Sequence, residues 1–142
     1  MTNSDTDRKT SIMKDRKVVL STLWIFAMFN YIYADVMGSM DASVLKEILT
    51  GSVDGMQITQ GLLLAGAILM ETAIVMVLLS RILKYRANRL ANIIVGVIHT
   101  VAVSWSLSVG TLAPYYIFFA SIEIACTVFI VLYAWRWREQ EA

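Results

Sequence analysis

The chain has 142 residues, 58% of them hydrophobic and only 16% charged, with a formal net charge of +1. Soluble domains carry roughly 25% charged residues, so this composition disfavours a water-soluble domain and leaves no basic face for nucleic acid. The single cysteine, Cys126, excludes an internal disulfide. We therefore expect one membrane domain.

The N-terminal part of the chain predicts a tail followed by a membrane span. Residues 1–17 are polar and of mixed sign, and we expect a cytoplasmic tail that is disordered or forms a short interfacial helix. Residues 18–37 are mostly apolar. No small-residue cleavage site follows them, so they predict an uncleaved first span rather than a signal peptide.

The loop at 38–58 is expected to lie outside the cell. Within it, Asp41 suits the N-cap of a helix at 42–49, and Gly51 follows the end of that helix. The apolar residues of this segment fall on one face. They predict a short amphipathic helix in the first external loop, on the membrane surface or over the bundle.

Three more apolar stretches follow, each of about 20 residues or more, which is the length that a membrane span needs. They predict spans at 59–83, 90–109 and 115–135, with a short cytoplasmic C-terminal tail at 138–142. The membrane domain therefore covers 18–137. The predicted fold class is all-α, a four-transmembrane-helix bundle.

Positive charge is strongly segregated along the chain. All twelve Lys and Arg residues except Lys46 lie in the N-terminal tail, in a basic turn from Arg81 to Arg89 at the end of the second span, or after the fourth span. Cytoplasmic segments of membrane proteins carry this excess, so both termini are expected in the cytoplasm of a bacterial inner-membrane protein. Aromatic residues near the span ends predict interfacial anchors: Tyr31, Tyr33, Tyr115 and Tyr116 outside, and Tyr85, Tyr133, Trp135 and Trp137 inside.

Ionisable side chains inside the predicted spans are the candidate functional residues. Glu71, His99 and Glu123 lie within about one helical turn of the same depth, near the middle of the membrane. Asn30 lies on the first span, and Asp35 continues from it towards the outside. A carboxyl group at the membrane centre costs about 2.5–3.5 kcal/mol, so each glutamate must be protonated, paired or beside a polar cavity. We predict that these five residues form a polar intramembrane site.

Several chemistries fit a cluster of two glutamates and a histidine. Such a cluster can bind or translocate a small molecule or protons, because histidine exchanges protons near neutral pH. The same groups are a workable ligand set for a divalent metal, but HExxH and CxxC spacings are absent, so no metal or cofactor is expected. No serine lies in a GxSxG turn, catalytic residues stay unassigned, and an enzyme is the less favoured class.

Two alternative functions are compatible with the same residues. Polar side chains in membranes also hold helices together, which predicts a structural or accessory protein. A small membrane enzyme acting on a lipid-like substrate is the other alternative. On the third span, Gly96, Thr100, Ser104 and Ser108 are spaced by four and predict a helix-packing seam. The expected partners are the lipid bilayer, a small-molecule or proton ligand and a second copy of the chain, but not nucleic acid.

Three stretches carry a resemblance to known proteins: LSTLWIFAMFNYIYADVMGSMD, TQGLLLAGAILMETAIVMVLLSRILKYRANRLANII and YYIFFASIEIACTVFIVLYAWRW. Together they cover most of 20–137. On them the chain resembles an uncharacterised family of short bacterial four-helix integral membrane proteins, and more distantly the DoxX-like membrane proteins. The resemblance implies four spans and no particular activity. Small multidrug resistance exporters are similar in having four short spans and a membrane glutamate, but theirs lies in the first span, where this chain has Asn30.

Overall fold

The computed structural model describes residues 3–109 and 112–137. Within these ranges the chain forms five helices and one hairpin of two short strands. The elements are α1 (Asn3–Met40), α2 (Ala42–Leu49), β1 (Ser52–Val53), β2 (Met56–Gln57), α3 (Gln60–Ile82), α4 (Tyr85–Val109) and α5 (Pro114–Trp135). The predicted C-terminal tail, 138–142, and part of the predicted turn before α5, Gly110 and Thr111, lie outside the described residues.

Four of the described helices, α1, α3, α4 and α5, are long and apolar enough to cross a membrane. Their outward faces expose large apolar side chains, including Phe29, Leu64, Trp105 and Phe118. Soluble monomers rarely expose continuous apolar surface of this kind, because water disfavours it. The all-α prediction is confirmed, and the helices are compatible with a multi-pass membrane protein.

Helix α1 is longer than the first predicted span. It begins at Asn3 instead of near residue 18, so the polar segment that was expected to be disordered or separate continues directly into the apolar helix. No proline or glycine interrupts the chain before Gly38. Extending an existing helix costs little compared with nucleating a new one, so the polar turns propagate from the apolar part.

The connection between α3 and α4 is only two residues long. Helix α4 starts at Tyr85, whereas the sequence predicted a start at residue 90, so most of the predicted basic turn is helical. The Asn88 side chain explains the tight connection, because its Nδ2 donates to the Ser80 carbonyl oxygen at 2.6 Å and ties the start of α4 to the end of α3. We call the end of the molecule with this connection the basic end.

The opposite end of the molecule, the hairpin end, carries α2 and the two strands. Asp41 caps α2 by accepting a hydrogen bond from the Ser43 backbone N–H at 2.9 Å. The strands pair antiparallel around Asp54 and Gly55, whose φ angles of 49° and 75° are the left-handed values that a two-residue hairpin turn requires. This hairpin was not predicted from the sequence, although the Asp-Gly pair is a strong hairpin signal.

Helix α1 packs against α3 and α5, and α4 packs most closely on α5. Gly96 makes that close approach possible. A Cβ added there would lie 2.7 Å from Val131 Cγ2, which is closer than van der Waals contact allows. The backbones of α4 and α5 can therefore approach only because this position lacks a side chain.

The predicted packing seam on α4 meets α5 along only part of its length. One turn beyond Gly96, the Thr100 and Thr127 hydroxyl oxygens lie 2.8 Å apart and link the two helices. Ser104 and Ser108 are exposed, and their hydroxyls donate to carbonyl oxygens one turn earlier in α4 at 2.7 and 2.9 Å. Ser104 and Ser108 therefore do not take part in the contact with α5.

Candidate functional site

Buried polar side chains form two clusters at different levels of the bundle. The first cluster, which we call the amide network, lies nearer the basic end and consists of Trp24, Ser80, Asn88 and Asn92. Asn92 Oδ1 accepts from Trp24 Nε1 at 2.8 Å, and Asn92 Nδ2 donates to Asn88 Oδ1 at 2.7 Å. Ser80 Oγ lies 3.3 Å from the same Asn92 oxygen. The network ties α1, α3 and α4 together with its polar groups paired.

The second cluster is centred on His99, whose side chain is 1% exposed. His99 Nε2 lies 3.0 Å from the Thr72 hydroxyl, and His99 Nδ1 lies 3.1 Å from the Tyr31 hydroxyl. The Thr72 hydroxyl donates its proton to the Leu69 carbonyl oxygen at 2.6 Å, so it accepts from the histidine. Nε2 therefore donates to Thr72, and the Tyr31 hydroxyl lies within hydrogen-bonding distance of the other ring nitrogen.

Aromatic rings hold the histidine in place. Tyr31 is stacked on it with ring centroids 5.5 Å apart, and Trp24 contacts it edge-on at 5.4 Å. Trp24 also belongs to the amide network, so the two clusters share one rigid side chain. The position of His99 is consequently fixed by α1 as well as by its own helix.

A cavity of about 190 Å³ lies beside this cluster, between all four long helices. Helical spacing places its polar residues on common faces. Tyr31 and Asp35 are four apart on α1, and Tyr116 and Glu123 are seven apart on α5. The cavity is lined by Tyr31, Ala34, Asp35, Leu69, Met70, His99, Ala102, Val103, Ser106, Tyr116 and Glu123.

Glu123 is the most unusual residue of the cavity. Its side chain is 5% exposed, and its Oε1 has no hydrogen-bond partner among the described residues. Glu123 lies nine residues after Pro114, so its depth along α5 is about 14 Å from the hairpin end. Buried polar atoms in proteins are nearly always paired, because an unpaired one costs about 1–3 kcal/mol.

A second cavity of about 400 Å³ lies towards the hairpin end. Both cavities are lined by Ala34, Asp35 and Tyr116, so they adjoin at these residues. The Tyr116 hydroxyl is held by the Ser106 hydroxyl at 2.5 Å. The wider cavity, which we call the vestibule, is also lined by Asp54 of the hairpin turn.

The structure brings three of the five predicted site residues, Asp35, His99 and Glu123, to one cavity. Glu71 is exposed on the outward face of α3, in an apolar groove of about 300 Å³. Asn30 is buried, but its Nδ2 donates to the Phe26 carbonyl oxygen of its own helix at 2.9 Å. Neither residue lines the cavity around Glu123.

Four residues of the site did not enter the sequence prediction as site residues. Tyr31 and Tyr116 were assigned to the outer membrane interface, and Thr72 and Ser106 were not singled out. The helical spacing indicates that the two tyrosines belong to the site, because residues four or seven apart share a helix face. Tyr31 is four residues from Asp35, and Tyr116 is seven residues from Glu123.

The described part of the chain contains no group of residues arranged for metal binding or for thiol chemistry. No cluster of three or more His, Cys, Asp or Glu residues there is able to hold a metal ion. Cys126 is buried, its Sγ contacts the Leu23 carbonyl oxygen at 3.5 Å, and it does not line the cavity. A reactive pair of Cys126 with His99 is therefore not formed.

Comparison with known proteins gives one family and no individual relative. No curated protein and no solved structure matches the chain significantly. The model of a family of unknown function matches residues 10–142, which is nearly the whole chain. The chain belongs to this family of unknown function, DUF6326.

Proposed function

We propose that this protein spans the membrane four times with both termini in the cytoplasm, and that it binds a small molecule or protons beside Glu123. The single observation that carries the proposal is the buried Glu123 oxygen without a hydrogen-bond partner among the described residues, facing a cavity. A ligand that supplies the missing hydrogen bond or charge removes the cost of that unpaired group.

The surroundings support access from the outer side. The vestibule adjoins the Glu123 cavity and lies at the hairpin end. The concentration of Lys and Arg at the other end supports an orientation in which the hairpin end is outside the cell. In a bacterium this orientation belongs to the inner membrane, and the ligand enters past Asp35 and Tyr116.

Native mass spectrometry of the gently solubilised protein tests the proposal. The variant is Glu123→Gln, and the matched control is Glu71→Gln, which makes the same chemical change on the outward face of α3. We expect a bound mass in the wild type and in Glu71→Gln that disappears in Glu123→Gln. Bare protein in all three samples, together with no Glu123-dependent proton flux in liposomes, contradicts the proposal.

A structural or accessory role is the second candidate, and the amide network favours it. Its polar groups are paired with one another, as helix-connecting groups in membranes are. If Glu123 and His99 served only this purpose, His99→Ala would lower the melting temperature in detergent, and no ligand would be found. The third hypothesis, an enzyme acting on a lipid-like substrate, stays a prediction, and no residue of the cavity is assigned to catalysis.

We also propose a second copy of the chain as the partner of the outward face of α3. Glu71 lies near the middle of that helix and is exposed in apolar surroundings, where a carboxyl group is costly. In a dimer with its symmetry axis along the membrane normal, equal residues meet at equal depth. The two Glu71 side chains then meet and supply hydrogen bonds to each other. The native mass spectra count the copies directly.

A further inference from the structure

The proposed binding function does not specify the chemical class of the ligand. The charged residues around the cavity limit which classes can bind. Glu123 and Asp35 line the inner cavity, and Asp35 and Asp54 line the vestibule. No Lys or Arg is among the described residues that line either cavity. The basic residue nearest in sequence to Asp35 and Asp54 is Lys46 of α2, which is exposed and lines neither cavity. Apart from His99, the charged side chains that line the cavities are therefore carboxylates, which disfavour an anionic ligand.

We infer that the ligand is a small organic cation with one positive charge, such as a protonated amine. This inference rests on the proposed binding function. The Glu123 carboxylate supplies one negative charge and an unpartnered acceptor oxygen in a buried position. One ammonium group supplies both the opposite charge and the hydrogen that this oxygen lacks.

The walls of the cavity suit an organic cation better than a bare ion. Tyr31 and Tyr116 are among its lining residues, and aromatic side chains are the uncharged groups that most favour a nearby cation. Leu69, Met70 and Val103 offer apolar contact for a hydrocarbon body. A bare metal ion needs several oxygen, nitrogen or sulfur ligands around it, and the described residues contain no such group.

The size of the inner cavity indicates which cations fit beside Glu123. An engineered protein cavity of about 150 Å³ accommodates benzene. At about 190 Å³, the inner cavity has room for a benzene ring with an aminomethyl group without use of the vestibule. The two aspartates of the vestibule raise the local concentration of cations before they reach Glu123.

Three probes of nearly equal shape test the inference: benzylammonium, benzyl alcohol and benzoate. Binding is measured by isothermal titration calorimetry on the full chain in nanodiscs. We expect benzylammonium to bind at least about tenfold more tightly than benzyl alcohol, since the alcohol can still donate a hydrogen bond to the Glu123 carboxylate but lacks the opposite charge. Benzoate should not bind. Glu123→Gln should weaken benzylammonium binding by a similar factor. Glu71→Gln should leave it unchanged, because Glu71 lines neither cavity and a glutamine pair still supplies hydrogen bonds at the proposed α3 interface.

The outcomes separate the ligand class from the binding function itself. If benzyl alcohol or benzoate binds as tightly as benzylammonium and the binding depends on Glu123, the cation inference fails and the binding function stands. If none of the probes binds, the cation inference fails, and the native mass spectra then decide the binding function. Equal loss of binding in Glu71→Gln and Glu123→Gln also overturns the inference, because Glu71 lines neither cavity.

Discussion

The contact at Gly96 permits a prediction whose magnitude follows from the structure. In Gly96→Ala the new Cβ would lie 2.7 Å from Val131 Cγ2, whereas ordinary contacts begin at 3.4 Å, so α4 and α5 must separate by several tenths of an ångström. Val131 is β-branched and cannot easily turn its methyl group away. Overpacking of this kind costs about 1–3 kcal/mol.

Two further effects partly offset each other. Separation of the helices also weakens the Thr100 to Thr127 hydrogen bond one turn away, and such bonds in membrane proteins contribute about 0.6 kcal/mol on average. Alanine is favoured over glycine within a helix by about 1 kcal/mol. The expected net loss of unfolding free energy in Gly96→Ala is therefore about 0.5–2.5 kcal/mol.

Reversible unfolding in mixed detergent micelles, followed by circular dichroism, measures this loss. The control is Gly66→Ala on α3, where a new Cβ meets nothing within 4 Å and stability should stay equal or rise. In a Val131→Ala background the obstructing methyl group is gone, so Gly96→Ala should become neutral or stabilising. A stabilising effect of Gly96→Ala in the wild type, or the same loss in the Val131→Ala background, would refute the close-approach explanation.

Three shorter predictions test other parts of the molecule. Trp24→Phe removes the indole donor to Asn92 Oδ1 and should lower the unfolding free energy by about 1–3 kcal/mol in the same assay. An unchanged stability would contradict a stabilising role for the amide network. Hydrogen bonds from the Ser43 hydroxyl and backbone lower the pKa of Asp41 below the ordinary value for an aspartate. The stabilisation of α2 by this cap should therefore be complete at a pH above the ordinary aspartate pKa, and it should be lost as the pH falls through the lowered pKa. Amide protection factors of α2 measure this, and Asp41→Asn should remove the pH dependence. Glu71→Cys should form an intermolecular disulfide in membranes, whereas Leu132→Cys, at an exposed position of α5, should not. Equal cross-linking of both variants would refute the proposed interface at α3.

Hydropathy predicted the helices better than it predicted which way their side chains face. The span predicted at 59–83 corresponds to α3 (Gln60–Ile82), and the span predicted at 115–135 corresponds to α5 (Pro114–Trp135). Depth along a helix follows from counting residues, because each adds about 1.5 Å. Rotation about the helix axis does not follow from this count. The residues one turn before and after Glu71 on its own face are all apolar, so the sequence around Glu71 did not indicate that it faces outward.

Helix α5 was easier to orient from sequence because its residues differ around the helix. Glu123 lies between the small residues Ala120 and Thr127, which are spaced by three and four and are both buried. This spacing marks the face that packs against other helices. The partners on other helices were harder to predict, since Tyr31 meets His99 across a sequence separation of 68 residues that no local pattern encodes.

The contrast between the two polar clusters is the strongest argument that they serve different purposes. The amide network uses neutral groups, Asn92 and Asn88 among them, whose donors and acceptors pair within hydrogen-bonding distance. Asparagine and serine suffice to connect helices, and they avoid the cost of placing a carboxyl group in a membrane. Glu123 carries that cost and leaves one oxygen facing a cavity. If Glu123 only connected helices, Glu123→Gln should lower the stability of the protein, because a hydrogen-bonding partner is changed. If Glu123 serves ligand binding, Glu123→Gln should leave the stability equal or higher, because an unpaired buried carboxyl group is removed, and should weaken ligand binding.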